Sequence, residues 1–248
     1  MTATEHPTQG TDDPTRLAAD ARSILACPAT VSMVIEGEAR LVDDEADLTV
    51  SDHHGTPTFV CRTDSPVARA AAGNASALLT VTSGLGPRGG PDRLDSLTLA
   101  GRLERTGYER CDCCDEVRDV VSLDLSFVLL TRPVPGTPHG TPDRQHRVPL
   151  EQFRSHAHLL NRGHLQRSVE HANECHQEEL RQAVSFGTST RPAELIGVRL
   201  AHLTPSNVEL QWVDVDGAHR QVLTFPRAAR TLTELGEMLR RGLHAGIC

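Results

Sequence analysis

The sequence predicts an α+β protein in which a small β-barrel occupies the first half and a compact α+β unit the second. Three observations predict this. Between residues 29 and 131 the β-prone runs are short, outnumber the helices and are separated by turns at close intervals. That pattern suits a small closed barrel better than a parallel α/β sheet. The segment RPVPGTPHGTPDRQHR (132–147) is dense in proline and glycine and reads as a linker. Beyond it the order becomes helix, three strands and helix. The expected organisation is therefore a tail at 1–14, a barrel domain at 15–131, the linker at 132–147 and an α+β domain at 148–248.

The first fourteen residues are polar and rich in Thr, Pro and Gly, the composition of a floppy tail. RLAADARSIL follows, with Leu17, Ala21 and Ile24 at helical spacing. This helix ends at Cys27-Pro28, because proline disfavours helix in the residue before it. ATVSMVIEG is β-branched and closes on a Gly turn; DLTVSD and PTFVCR flank the turn signal His54-Gly55-Thr56-Pro57. SPVARAAAG carries Pro66 near its start and Gly73 at its end, the punctuation of a short helix. ALLTVTS and DSLTLAGRLERTG read as strands on either side of GLGPRGGPD. VVSLDLSFVLLTR is the last long strand of this half.

After the linker, VPLEQFRSHAHLLNRGHL reads as a partly helical connection. A helix is expected at 168–186, then strands at ELIGVRLAHL, VELQWVDVDG and HRQVLTFP. In the final helix, Thr231 and Glu234 form a capping box, and Leu232, Leu235, Leu239 and Leu243 make one apolar stripe.

Composition narrows the function. The chain has 248 residues, 38% of them hydrophobic and 23% charged, which is globular rather than disordered. A net charge of -8 and only 3% aromatic residues oppose nucleic-acid binding. Lysine is absent, so Schiff-base and P-loop lysine chemistry are excluded, whereas 25 arginines remain for carboxylate or phosphate groups. The N-terminus has neither the basic nor the apolar region of a secretory signal, and no run has the length of a membrane span. With seven cysteines, an odd number, the expectation is a cytoplasmic protein whose thiols are mostly free.

Two clusters could carry chemistry. SVEHANECHQEELRQAV (168–184) holds His171, Asn173, Cys175 and His176. On one continuous helix the step from His171 to His176 turns about 140°, so the two would not easily grip one ion. Their pattern is not HExxH, whose histidines share a face. His176 falls on or beside the stripe of Val169, Leu180 and Ala183. It reads either as a core histidine bonded to a carbonyl, with His171 solvated, or as a single axial imidazole. CDCCDE (111–116) places Cys111, Cys113 and Cys114 close together without the second ligand pair of a structural zinc site, and reads as a redox-sensitive loop. No GxSxG elbow appears, and GLGPRGG does not lead into a helix as a dinucleotide fingerprint would.

The order of elements resembles the HugZ-type haem-utilisation family, in which a pyridoxamine-phosphate-oxidase-like split β-barrel is joined to a small α+β domain. PTFVCRTDSPVARAAAGNASALLTV resembles its strand-helix-strand unit, and LTLAGRLER its following barrel strand. EHANECHQEEL resembles its HMNxDH helix, with His171, Asn173 and His176 at the matching positions. VRLAHLTPSNVEL and VLTFPRAARTLTELGEMLRRGL, including Phe225-Pro226, resemble the rest of that domain. The family's flavin motif and Gly-Phe-Gly loop are missing, so the resemblance implies haem rather than FMN. It also implies a homodimer with its ligand cleft between subunits, and His171, His176 or His244 as iron ligand. Arg102 or Arg69 would hold a propionate. The implied function is haem binding, by an oxygenase, a carrier or a regulator. The alternatives are a non-catalytic interaction module for tetrapyrrole metabolism and an FMN-dependent oxidoreductase.

Overall fold

A computed structural model of the chain describes residues 13–38, 41–43, 48–110, 116–134, 143–188 and 190–244. Helix α1 (Pro14–Ala26) opens with Asp13 as N-cap, its carboxylate accepting from the Thr15 amide, and with proline at the first helical position. Strands β1 (Pro28–Ile35), β2 (Val42–Asp43), β3 (Val50–His53) and β4 (Thr56–Arg62) follow. Then come helix α2 (Pro66–Ala72) and strands β5 (Ser76–Ser83), β6 (Ser96–Arg110), β7 (Val117–Arg132) and β8 (Arg144–Arg147). All eight strands form one antiparallel sheet in the order β2-β1-β5-β6-β7-β4-β3, with β8 pairing the far end of β7.

The sheet curls into a half-barrel rather than the closed barrel that the turn spacing suggests. Among the described residues its path stays open between β2 and β3. These end strands have two and four residues, against fifteen and sixteen in β6 and β7, and such short edges leave little to pair. The central ribbon bends at two bulges: β7 carries the extra residue Ser126 opposite Ala100/Gly101, and β6 carries Thr106 between Arg105 and Gly107. A Cβ on Gly101 would lie 2.1 Å from the Asp124 carbonyl oxygen, so only glycine fits the first bulge. The bulge also flips the inward parity of β7: Val121, Leu123 and Leu125 point inward before it, and Val128 and Leu130 after it.

One face of the sheet is the core. Val31, Met33 and Ile35 of β1, Leu79 and Val81 of β5, and Leu97, Leu99 and Leu103 of β6 meet Leu17, Ala21, Ile24 and Leu25 of α1. Each fully buried leucine or isoleucine contributes about 1.5–3 kcal/mol. The opposite face leaves Val34 and Leu78 exposed.

The second apolar cluster lies beyond helix α3 (Leu150–Phe153). Helices α4 (Arg162–Cys175) and α5 (Gln177–Thr188) precede strands β9 (Gly197–Ala201), β10 (Asn207–Asp214) and β11 (Gly217–Thr224), and helix α6 (Leu232–His244) closes the chain. The antiparallel order is β11-β10-β9. Leu200, Leu210 and Trp212 pack with Leu180 and Val184 of α5 and Leu235 of α6. Thr231 accepts from the Glu234 amide as expected. The reciprocal bond goes one residue earlier, from the Arg230 amide to the Glu234 carboxylate.

No helix among the described residues is long and apolar enough to cross a membrane. Cys111, Cys113 and Cys114 lie outside the described residues.

Candidate functional site

The helix expected at 168–186 is two helices. α4 begins at Arg162 behind the N-cap Asn161, whose side chain accepts from the His164 amide, and it ends at Cys175. His176 is its C-cap, with φ -122° and ψ 34°, and α5 starts at Gln177 with Glu178 and Glu179 in its first turn. Two forces favour this break. An unbroken helix would hold the His176 imidazole against the apolar stripe, and two carboxylates are best placed at a helix N-terminus.

The break changes the geometry of the histidines. His176 is 48% exposed rather than buried with a carbonyl partner. The His171 and His176 Nε2 atoms stand 3.2 Å apart, with ring centres 5.0 Å apart and planes at 78°. The 140° separation of a continuous helix therefore does not apply, because the C-cap backbone swings His176 back towards His171. His176 Nδ1 lies 3.4 Å from Glu179 Oε1, which favours a proton on Nδ1 and a lone pair on Nε2. Cys175, between the two rings in sequence, is an exposed free thiol. Among the described residues no three His, Cys, Asp or Glu side chains gather around one metal position.

Asn173 works inward. Its Nδ2 donates to the Leu200 carbonyl at 3.0 Å and its Oδ1 accepts from the Leu200 amide at 2.8 Å. The side chain thus clasps the edge of β9 and fixes the helix that carries the histidines. His244 ends α6, and its side chain lies outside what the structure describes. Arg69, on α2, donates to the Asp64 carbonyl and pairs with Glu38 at 3.5 Å. Arg102 stands on the outer sheet face opposite Asp124, beside an open hollow of about 650 Å3 lined by Val34, Leu78 and Ser126. The structure thus brings His171 and His176 together and leaves both arginines on elements of the β-sheet unit.

A second polar cluster was not anticipated. Arg22 of α1, 1% exposed, donates from Nε to Asp52 Oδ2 at 2.7 Å and from Nη1 to the Phe153 carbonyl at 2.9 Å. Asp52 also accepts from the Gly55 amide at 2.8 Å and has His164 Nε2 at 3.6 Å. Burial alone would raise the Asp52 pKa; the His164 imidazole, the Arg22 guanidinium and the Gly55 amide outweigh it and hold the carboxyl below its ordinary range. Arg22, Asp52 and His164, with His53, His54 and Thr231–Thr233 at the start of α6, line a cavity of about 250 Å3. Buried His158 has no partner on Nε2, and desolvation followed by the Arg22 charge pushes its pKa down. The sequence held one signal for this cluster: Arg22 sits among Ala18, Ala21 and Leu25, a charge on an apolar stripe that must find a counter-charge.

No protein-family model matches the sequence, and no curated protein matches it. Among solved structures it is similar to a haem-binding protein from Mycobacterium smegmatis, at 16% identity and a TM-score of 0.40, over 92% of this chain and 96% of that one. It is also similar to a protein of unknown function from Agrobacterium tumefaciens, at 19% identity and a TM-score of 0.40, over 97% and 100% of the two chains. The fold assignment rests on the strand order and register above.

Proposed function

We propose that this protein binds haem, with an imidazole of the His171–His176 pair as the axial ligand. The observation that carries this is the exposed pair itself, whose Nε2 atoms converge at the solvent-facing junction of α4 and α5. Axial ligation needs one imidazole lone pair and an open approach, and Glu179 against His176 Nδ1 supplies the tautomer that presents Nε2. Bound haem would supply the redox-active iron; the chain's own part is to hold it through one nitrogen, on a helix fastened by Asn173 to β9.

Titration of the purified protein with haem tests this. A shifted Soret band saturating at one equivalent is expected, and His171→Ala or His176→Ala should alter the band and weaken binding at least tenfold. An unchanged Soret band in both variants sinks the assignment, and loss in His244→Ala alone moves the ligand to the end of α6.

A separate observation supports self-association as part of the same reading. On the outer face of β1, β5 and β6, Val34 is 53% and Leu78 42% exposed, and Arg102 faces Asp124 across the strands. A two-fold copy would meet this patch with itself, covering both apolar side chains and presenting Arg102 to an acidic neighbour. Sedimentation velocity should then show a dimer for the natural chain and a monomer for Val34→Arg/Leu78→Arg. A monomeric natural chain at tens of micromolar overturns the homodimer.

A further inference from the structure

We infer that His171 and His176 form a two-imidazole chelate for a divalent transition-metal ion of the zinc or nickel class, free of any porphyrin. The inference shares residues with the haem reading but does not rest on it.

Two nitrogens that each lie about 2.0–2.1 Å from a tetrahedral ion stand about 3.3 Å apart. The Nε2 atoms of His171 and His176 are 3.2 Å apart. Ring placement separates this from a simple end-to-end contact. Rings aimed straight at one another with that spacing would put their centres about 5.5 Å apart, whereas rings aimed at one shared point put them at about 5 Å. The observed separation is 5.0 Å. The rings are thus tilted away from an end-to-end contact, as two ligands that share one ion must be.

The surroundings add an independent indication. A metal-binding histidine commonly donates its other ring N–H to a carboxylate, which fixes the tautomer and raises the basicity of the ligating nitrogen. Glu179 Oε1 stands in that place, 3.4 Å from His176 Nδ1. With the His176 proton on Nδ1 against Glu179, the hydrogen shared in the metal-free pair belongs to His171 Nε2; on binding that proton moves to His171 Nδ1 and the ion takes the place of the shared hydrogen. Two protein ligands leave the remaining positions to water, so the site is open rather than structural.

Calorimetric titration of the full-length, metal-free and haem-free protein with Zn2+ tests this. One equivalent should bind. His171→Ala and His176→Ala should each weaken binding at least a hundredfold, and Glu179→Gln about tenfold, with Cys175→Ser unchanged. Circular dichroism of each variant verifies the fold. Affinity unchanged by both histidine replacements, or abolished by Cys175→Ser, overturns the chelate. Because no haem is present, the outcome stands whatever the haem titration shows.

Discussion

Asp52→Ala should lower folding stability by about 3–5 kcal/mol, the range for removing one partner of a buried ion pair. The side chains of Asp52 and Arg22 are 0% and 1% exposed, so the loss leaves a buried guanidinium with no counter-charge. The Gly55 amide loses its acceptor as well. The cost comes mainly from the stranded charge rather than from the net worth of the pair. Arg22→Met in the Asp52→Ala background should therefore recover much of the stability, since methionine fills similar space without a charge. Urea unfolding of the single and double variants reads this directly. A double variant less stable than Asp52→Ala would show that Arg22 matters through packing on Phe153 and its carbonyl instead.

The same cluster sets an acid limit on the fold. Asp52 has its folded pKa lowered, so its contribution is complete above the ordinary carboxylate value of 3.8 and is lost as the pH falls through the lower folded value. His158 is a base whose folded pKa is lowered from 6.5 by burial. The unfolded chain binds its proton first, so stability erodes as the pH drops from about 6.5 towards the folded value. Both effects have the same sign. Stability should decline in two stages on acidification, and His158→Phe should remove the earlier one.

Gly163→Ala should have the second large effect, and in the direction opposite to helix propensity. On an isolated helix the change would favour α4 by about 1 kcal/mol. Here a Cβ at position 163 would lie 2.0 Å from the Ser23 carbonyl oxygen, 2.9 Å from its carbon and 3.1 Å from Ala26 Cβ. Backbone cannot yield as a side chain would, so α4 must lift off the end of α1. That movement also draws His164 away from Asp52, so the overpacking cost of about 1–3 kcal/mol is a lower bound. Hydrogen exchange should show α1 and the start of α4 losing protection together. A variant as stable as the natural chain would mean that the two helices do not pack this closely.

Most strands and the terminal helices were legible because their signals are local; β8 (Arg144–Arg147) was not, since it lies within 132–147, whose proline and glycine read as a linker. β1 and β5 alternate between inward and outward residues, α1 is stopped by Cys27-Pro28, and α6 is announced by Thr231 and its leucine stripe. The histidine helix was legible as helix but not as two. Its apolar spacing runs through position 176 without interruption, and nothing local says that the imidazole will turn to solvent. Asn173 looked like a ligand beside two histidines, yet its amide matches the Leu200 peptide group 27 positions away. The partners of Arg22 lie 30 and 131 residues off, beyond the reach of any sequence window.

By itself, then, the sequence determined most of the strand and helix segments, the α+β class and the presence of two histidines in the second half. Those outcomes depend on residue spacing and side-chain type, which act over a few residues. Tertiary structure alone decided that the sheet stays open among the described residues, that Arg22, Asp52 and His164 meet beneath the surface, and that His171 and His176 converge. Each of these is a distance between groups on different elements, and such distances are set by how helices and sheet settle against a shared core.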